Sequence, residues 1–203
     1  HLLKNIKRVN SGKTYDDSQI EQVANLINNS VRPYIYAGGG IISSESCQEV
    51  KTFAEKANIP VGVSLMAKSA FPANHPLATG MIGMHGTKAS NTAINKADLV
   101  IVLGARFSDR VISDPSKFAV NTKFIHIDID SAEINKNIKT CASIIGNLKD
   151  ILTKLIPLVK ERKKSEWNDY VSELKSHIPP MYTKKTALHP KFVCEKVNQI
   201  AGD

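Results

Sequence analysis

The chain has 203 residues, of which 42% are hydrophobic and 23% charged, with a formal net charge of +8. That is enough for one large core, or one core with a tail, at a composition ordinary for a soluble globular domain. No apolar run reaches the ~20 residues a membrane span needs, and no signal-peptide pattern opens the chain.

Residues 1–15 read as an irregular lead-in. The chain starts His1-Leu2-Leu3, without methionine, and the expectation is a piece of something longer. "DDSQIEQVANLINNS" then sets Ile20, Val23, Ala24 and Ile27 on one helical stripe, with Asp16 to Ser18 as capping candidates. Arg32-Pro33 breaks that helix, and "YIYA" reads as a buried strand running into Gly38-Gly39-Gly40. "SSESCQEVKTFAEKANI" is a second helix, with Ser43 and Ser44 as cap candidates and Val50, Phe53, Ala54 and Ala57 in register. "PVGVSL" is a second strand, and "MAKSAFPANHPLATGMIGMHG" reads as a long loop, of a length usually functional inside a compact domain. A helix follows near 88–96, then the unbroken apolar strand Leu99 to Leu103. "KFIHIDID" and "ASIIG" are further strands, separated by "SAEINKN", a short helix with Ser131 as cap. "LKDILTKLIPLV" gives another helical stripe. Beyond it lie the polar helix "SEWNDYVSELKSHIPP", ended by Pro179-Pro180, and the amphipathic "HPKFVCEKVNQIAGD", which has no core of its own.

Strands alternating with helices at this spacing predict an α/β, doubly wound, Rossmann-like parallel sheet of five or six strands covered on both faces. The predicted domain spans 16–160, and 161–203 is expected to be a helical linker to a further domain. Cys47, Cys141 and Cys194 show no disulfide or metal-ligand spacing, which fits a reduced, cytoplasmic compartment. The basic surplus gathers in "KERKK" and in Lys184-Lys185 without interleaved aromatics, so a solvated helix end accounts for it better than a nucleic-acid face.

Right-handed crossovers put every strand's carboxyl end on one edge, where open α/β sheets bind ligands. Four strand ends carry unusual residues. Gly38, Gly39 and Gly40 can let backbone amides approach an anion, although "GGG" serves equally as a bare tight turn. It is not GxGxxG, and no acid ends the second strand, which argues against a standard NAD site. Ser64, Leu65 and Met66 follow the second strand. "GARFSDR" brings Arg106, Asp109 and Arg110 after a buried strand, a pattern suited to phosphate or carboxylate. "HIDID" ends in Asp128, assigned to a ligand, and Asp130, assigned mainly to capping. His85, alone, reads as readily as a structural hydrogen-bonder. The set describes a slot long enough for an extended dinucleotide: a binder, with no visible catalyst and no metal-ligand cluster.

"GMIGMHGTKASNTAINKADLVIVLGARFSDRV", "FIHIDIDSAEINKN" and "YIYAGGGI" resemble the central domain of the FAD-containing acetolactate synthase (acetohydroxyacid synthase) catalytic subunit, a thiamine-diphosphate enzyme. The likeness runs from about Pro33 to Leu155. "HxDID" is shared by many thiamine-diphosphate enzymes, whereas "GMHG" with "GARFSDR" is much more specific and resembles the biosynthetic, FAD-binding type. The resemblance implies an enzyme that decarboxylates pyruvate and adds the two-carbon unit to pyruvate or 2-oxobutyrate, on the route to branched-chain amino acids. It implies thiamine diphosphate and Mg2+ bound between N-terminal and C-terminal domains of the same enzyme, both outside this chain. No catalytic residue is therefore expected here, and the chain alone is expected to be inactive. A homodimer or tetramer with a regulatory subunit is implied too.

Carried over residue by residue, FAD would contact Gly38, Gly39, Gly40, Ser64, Leu65, Met66, His85, Gly86, Thr87, Gly104, Ala105, Arg106, Arg110, Val111, Asp128 and Ile129. Asn147 stands where the family usually has aspartate, which puts the adenine-end contact in doubt, and Ser108 replaces an aspartate outside the clearest contacts. Met84, Asp109 and Arg110 would face the substrate channel. The competing readings are the central domain of another such enzyme (pyruvate oxidase, glyoxylate carboligase), a stand-alone nucleotide-binding module, and a structural spacer.

Overall fold

The computed structural model describes residues 15–112, 118–176 and 189–201. The expected lead-in up to residue 14, the Pro179-Pro180 stop and Lys184-Lys185 lie outside them. Six parallel strands form one sheet: β1 (Pro33–Ala37), β2 (Val61–Val63), β3 (Ala78–Met81), β4 (Leu99–Leu103), β5 (Lys123–Asp128) and β6 (Ala142–Ile145). Their order is β3-β2-β1-β4-β5-β6, so the winding reverses between β1 and β4. This is the doubly wound α/β fold that the alternation predicts.

The sheet is buried on both faces because its strands are apolar on both. Ile35, Ala37, Leu99, Ile101, Leu103, Ile125 and Ile127 face one core. That core is closed by α1 (Asp17–Asn29), α3 (Cys47–Ala57) and α5 (Leu148–Leu158), through Ile20, Val23, Ile27, Val50, Phe53, Ile151 and Leu155. The alternate residues Tyr34, Tyr36, Val100, Val102 and Phe124 face a second core with α4 (Lys88–Lys96) and α6 (Glu166–Ser176). The period of two along each strand thus divides a single apolar run between two layers.

Helix starts follow local chemistry. Asp16 accepts from the N–H of Gln19 at 2.9 Å, and the Gln19 side chain accepts from the N–H of Asp16 at 3.1 Å, a reciprocal cap on α1. The second helix corrects the sequence reading: Gly40–Ser43 forms a separate single turn, α2, and α3 starts only after Ser46. Ser44 therefore closes α2, its hydroxyl donating to Gly40 O at 2.7 Å.

The expected long loop after β2 is also corrected. Leu65–Ala67 is a 3-10 turn, and Ala78–Met81 is the edge strand β3, paired to β2 across a register shift at Val61/Gly62. The predicted helix at 131–137 contracts to a 3-10 turn, Ser131–Glu133, capped by Asp130 rather than Ser131.

Packing continues past residue 160, where the sequence reading sets the domain edge. On α6, Trp167 and Val171 are buried in the second core, Trp167 Nε1 donates to Pro33 O at 2.8 Å, and Asn168 Nδ2 donates to Asn58 O at 2.9 Å. A buried indole is worth roughly 1.5–3 kcal/mol or more, enough to fix a polar helix against the sheet. The final helix α7 (Pro190–Ala201) carries Val193, Val197 and Ile200 exposed. The three cysteines are free, and no described helix is long and apolar enough to cross a membrane.

Candidate functional site at the carboxyl edge

Six strands at the usual spacing make an edge of about 24 Å. Its centre is the crevice between β1 and β4, where crossovers lead away to opposite faces. Two glycine turns meet there. Gly104 has φ +56, and a Cβ on it would lie 2.7 Å from Gly40 Cα; a Cβ on Gly38 would lie 2.0 Å from Gly104 O. The Gly38 N–H donates to Leu103 O at 2.9 Å and the Gly40 N–H to Gly104 O at 3.0 Å. These two amides are therefore engaged inside the fold, as the tight-turn reading of "GGG" has it. The glycines allow close crossing of two chain turns. Gly39 is half-buried, its Cβ position 3.1 Å from Met66 Cβ.

After β2, the Ser64 N–H bonds Ala37 O at 2.8 Å, and the 3-10 turn presents Leu65 and Met66, 65% and 75% exposed. After β3 the chain is held by its backbone. Asn91 of α4 accepts from Gly83 N–H and donates to Gly83 O, both at 2.9 Å, while the Met84 N–H donates to Arg110 O at 2.9 Å. Gly83 (φ +109) fits because a Cβ would meet Arg110 O at 2.6 Å. The loop so fixed displays Met84 and His85 to solvent, with Gly86 turning back beneath them. Thr87 is committed to α4: its hydroxyl accepts from Ser90 N–H at 3.0 Å and donates to Thr79 O at 2.6 Å.

After β4, Ala105 and Phe107 are buried, which turns the intervening Arg106 outward. Its Nε lies 3.7 Å from Glu133 Oε1, with the side chain 73% exposed, so the rest of the guanidinium is accessible. Asp109 accepts from the Arg110 N–H at 3.0 Å, Arg110 is exposed, and Val111 is half-buried. After β5, Asp128 is buried and Ile129 is 66% exposed. Burial pushes the Asp128 carboxyl up, but the neighbouring His126 imidazole and the N–H groups of Asp130 and Ile129 outweigh it and hold the group below the usual carboxylate value. After β6, Asn147 caps α5, accepting from Lys149 N–H at 2.9 Å and Asp150 N–H at 3.4 Å. An amide oxygen caps as well as a carboxylate, so the substitution for aspartate leaves the helix start intact.

The edge therefore collects exposed apolar side chains (Leu65, Met66, Met84, Ile129), two accessible arginines and two shielded carboxylates, Asp128 and Glu133. Among the described residues no group of three His, Cys, Asp or Glu side chains could hold a metal ion. The sequence reading missed two contributors. Asn91 carries no local signal, since its partner is a glycine peptide in another loop. His126 does carry one: a polar residue two positions before Asp128, on the same face of an apolar strand.

The family model described as "Thiamine pyrophosphate enzyme, central domain" matches residues 20–155. The chain is 48% identical over 167 residues to the probable acetolactate synthase large subunit of Methanocaldococcus jannaschii, covering 80% of this chain and 28% of that protein. It is 40% identical over 191 residues to the acetolactate synthase large subunit of Corynebacterium glutamicum, covering 91% and 30%. It is 41% identical over 165 residues to the acetolactate synthase isozyme 1 large subunit of Escherichia coli, covering 81% and 29%. The chain thus spans under a third of the length of these curated relatives. With a matched segment that runs from α1 through α5 and takes in every strand of the sheet, this chain belongs to the thiamine pyrophosphate enzyme central-domain family.

Proposed function

We propose that the chain is the flavin-holding middle segment of an acetolactate synthase, which condenses two pyruvates, or pyruvate with 2-oxobutyrate, with loss of carbon dioxide. The carrying observation is the carboxyl edge itself, in a chain whose curated relatives are named acetolactate synthase large subunits. A dinucleotide with an apolar ring system fits this donor set. Asp128 would accept hydroxyl groups, Arg106 and Arg110 would face phosphate, and Leu65, Met66, Met84 and Ile129 would line the ring or a neighbouring segment. FAD is the group so assigned, with Gly39 and His85 beside it. Thiamine diphosphate and Mg2+ would supply the decarboxylation and carbon–carbon bond-forming chemistry from segments outside this chain. Met84, Asp109 and Arg110 would border the substrate channel, and the assembled enzyme would work as a cytoplasmic homodimer or tetramer with a regulatory subunit.

A bare spacer is the competing reading, favoured by the engaged amides of Gly38 and Gly40. Calorimetric titration separates the two. The chain should bind FAD saturably at one site with micromolar or weaker affinity, because parts of the ring's wall lie elsewhere. A longer polypeptide carrying this chain should purify yellow and form acetolactate from pyruvate once thiamine diphosphate and Mg2+ are added. Absence of flavin from that longer polypeptide, with no saturable binding to the chain, would establish the spacer instead.

A further inference from the structure

The second core holds one buried imidazole. His126 sits mid-strand on β5 at 1% exposure, with Val102 of β4 and Ser143 of β6 as its register neighbours. The Phe107 ring stands edge-on at 5.9 Å. Its Nε2 is fully buried and makes no hydrogen bond, yet it faces Asp128 Oδ2 at 3.6 Å. The other oxygen, Oδ1, accepts from the Asp130 N–H at 2.9 Å. The carboxylate is thus held through one oxygen and faced by a buried imidazole nitrogen at the other, at the end of a strand next to the crevice.

We propose that His126 is a positioning residue: its Nε2–H orients the Asp128 carboxylate as the acceptor of ligand hydroxyl groups, the chemistry of a nucleotide ribose. This rests on the nucleotide reading of the carboxyl edge given above. A buried polar nitrogen with no partner is costly, and such contacts tighten when the ligand completes the site. A neutral acid accepts hydroxyl donors less well than a carboxylate, so the imidazole acts on the ligand through the charge and rotation of Asp128. Among the described residues the ionisable side chain acting on that carboxyl is His126; its register neighbour on β6, Ile145, is apolar. The alternative role for His126 is to fill space beside Phe107.

Two variants distinguish these roles. His126→Phe keeps an aromatic ring beside Phe107 and removes the donor; His126→Gln restores a donor without the ring. In the full chain, calorimetry with FAD and with ADP should show His126→Phe weakening both by about tenfold, with His126→Gln recovering most of the loss. Carbon-13 NMR of aspartate-labelled protein should show the Asp128 titration moving upward in His126→Phe and back in His126→Gln. In an Asp128→Asn background, His126→Phe should have no further effect on affinity. Unchanged affinities across the series would overturn the proposal, as would an Asp128 titration that moves without any change in affinity. Nitrogen-15 shifts of the unsubstituted protein test it without any variant: an Nε2 that carries no proton overturns it. If the unsubstituted chain binds neither nucleotide, the nucleotide reading fails, and an upward Asp128 titration in His126→Phe would then still show that the imidazole governs the carboxylate.

Discussion

The two edges of the sheet differ in what they leave exposed. A groove of about 630 Å3 lies at the amino edge, between the outer face of α1 and the starts of β4 and β5, lined by Gln22, Asn25, Asn29, Asp98 and Lys123. Its aspartate is already engaged by the adjoining chain. Asp98 accepts from Val31 N–H at 2.7 Å and Arg32 N–H at 2.9 Å, and Arg32 Nε donates to Lys96 O at 2.8 Å. The carboxyl edge instead exposes four large apolar side chains and shelters a buried imidazole nitrogen that makes no hydrogen bond. Topology, with an unsatisfied nitrogen beside a carboxylate, sets the carboxyl edge apart as the one at the switch point.

The comparison breaks most visibly at the crevice. Gly38→Ala should cost more than about 3 kcal/mol, because the new methyl meets backbone and not a movable side chain; urea denaturation that leaves the midpoint unchanged would refute the crossing. At the amino edge, Asp98→Ala strips the acceptor from two backbone N–H groups and should destabilise by about 2 kcal/mol. It should leave FAD affinity alone, and a matching loss in a calorimetric titration would erase the distinction between the edges. Asn91→Ala should cost about 1–2 kcal/mol by freeing both polar groups of the Gly83 peptide. Hydrogen exchange should then speed up at Met84 and Gly86 ahead of the β4 amides.

Arg106→Ala should do the reverse of Asp98→Ala. Its 3.7 Å pairing with Glu133 is exposed and worth little, so thermal stability should hold. FAD retention should fall about tenfold, more than any change in thiamine-diphosphate binding by a longer enzyme. The smallest effect is that of acid. A carboxyl held below 3.8 in the folded state adds stability that is fully present above that pH and lost as pH falls through the folded value. Asp128→Asn should therefore flatten the stability curve below about pH 4 and leave it unchanged in slope near neutrality.

Most of the frame is legible in the chain because local and global preferences agree there. Leu99 to Leu103 is apolar at every position and lies at the centre of the sheet, and Asp16 with Gln19 writes a helix start that the fold keeps. β3 is not legible: Ala78-Thr79-Gly80-Met81 includes a glycine at φ +99 and no apolar run, and only pairing with β2 makes it a strand. Its fixing is non-local too, since Thr79 bonds the buried Tyr34 hydroxyl at 2.6 Å. The same holds at the site. The outward arginine could be inferred from "GARF", where buried Ala105 and Phe107 flank Arg106. That Gly38 and Gly40 cross Gly104 could not, because the contact joins turns more than sixty residues apart.

At its tip the loop after β3 is held through its own main-chain groups, by the side-chain amide of Asn91 and by the carbonyl of Arg110. Nothing in that grip depends on which side chains occupy positions 84 and 85. The frame and the surface it shows are therefore separable. Residues there can be exchanged for larger, smaller or charged ones while the peptide path stays where it is. A chain built this way can vary what it admits at this corner without reopening the question of how it folds, and selection can act on the two almost independently.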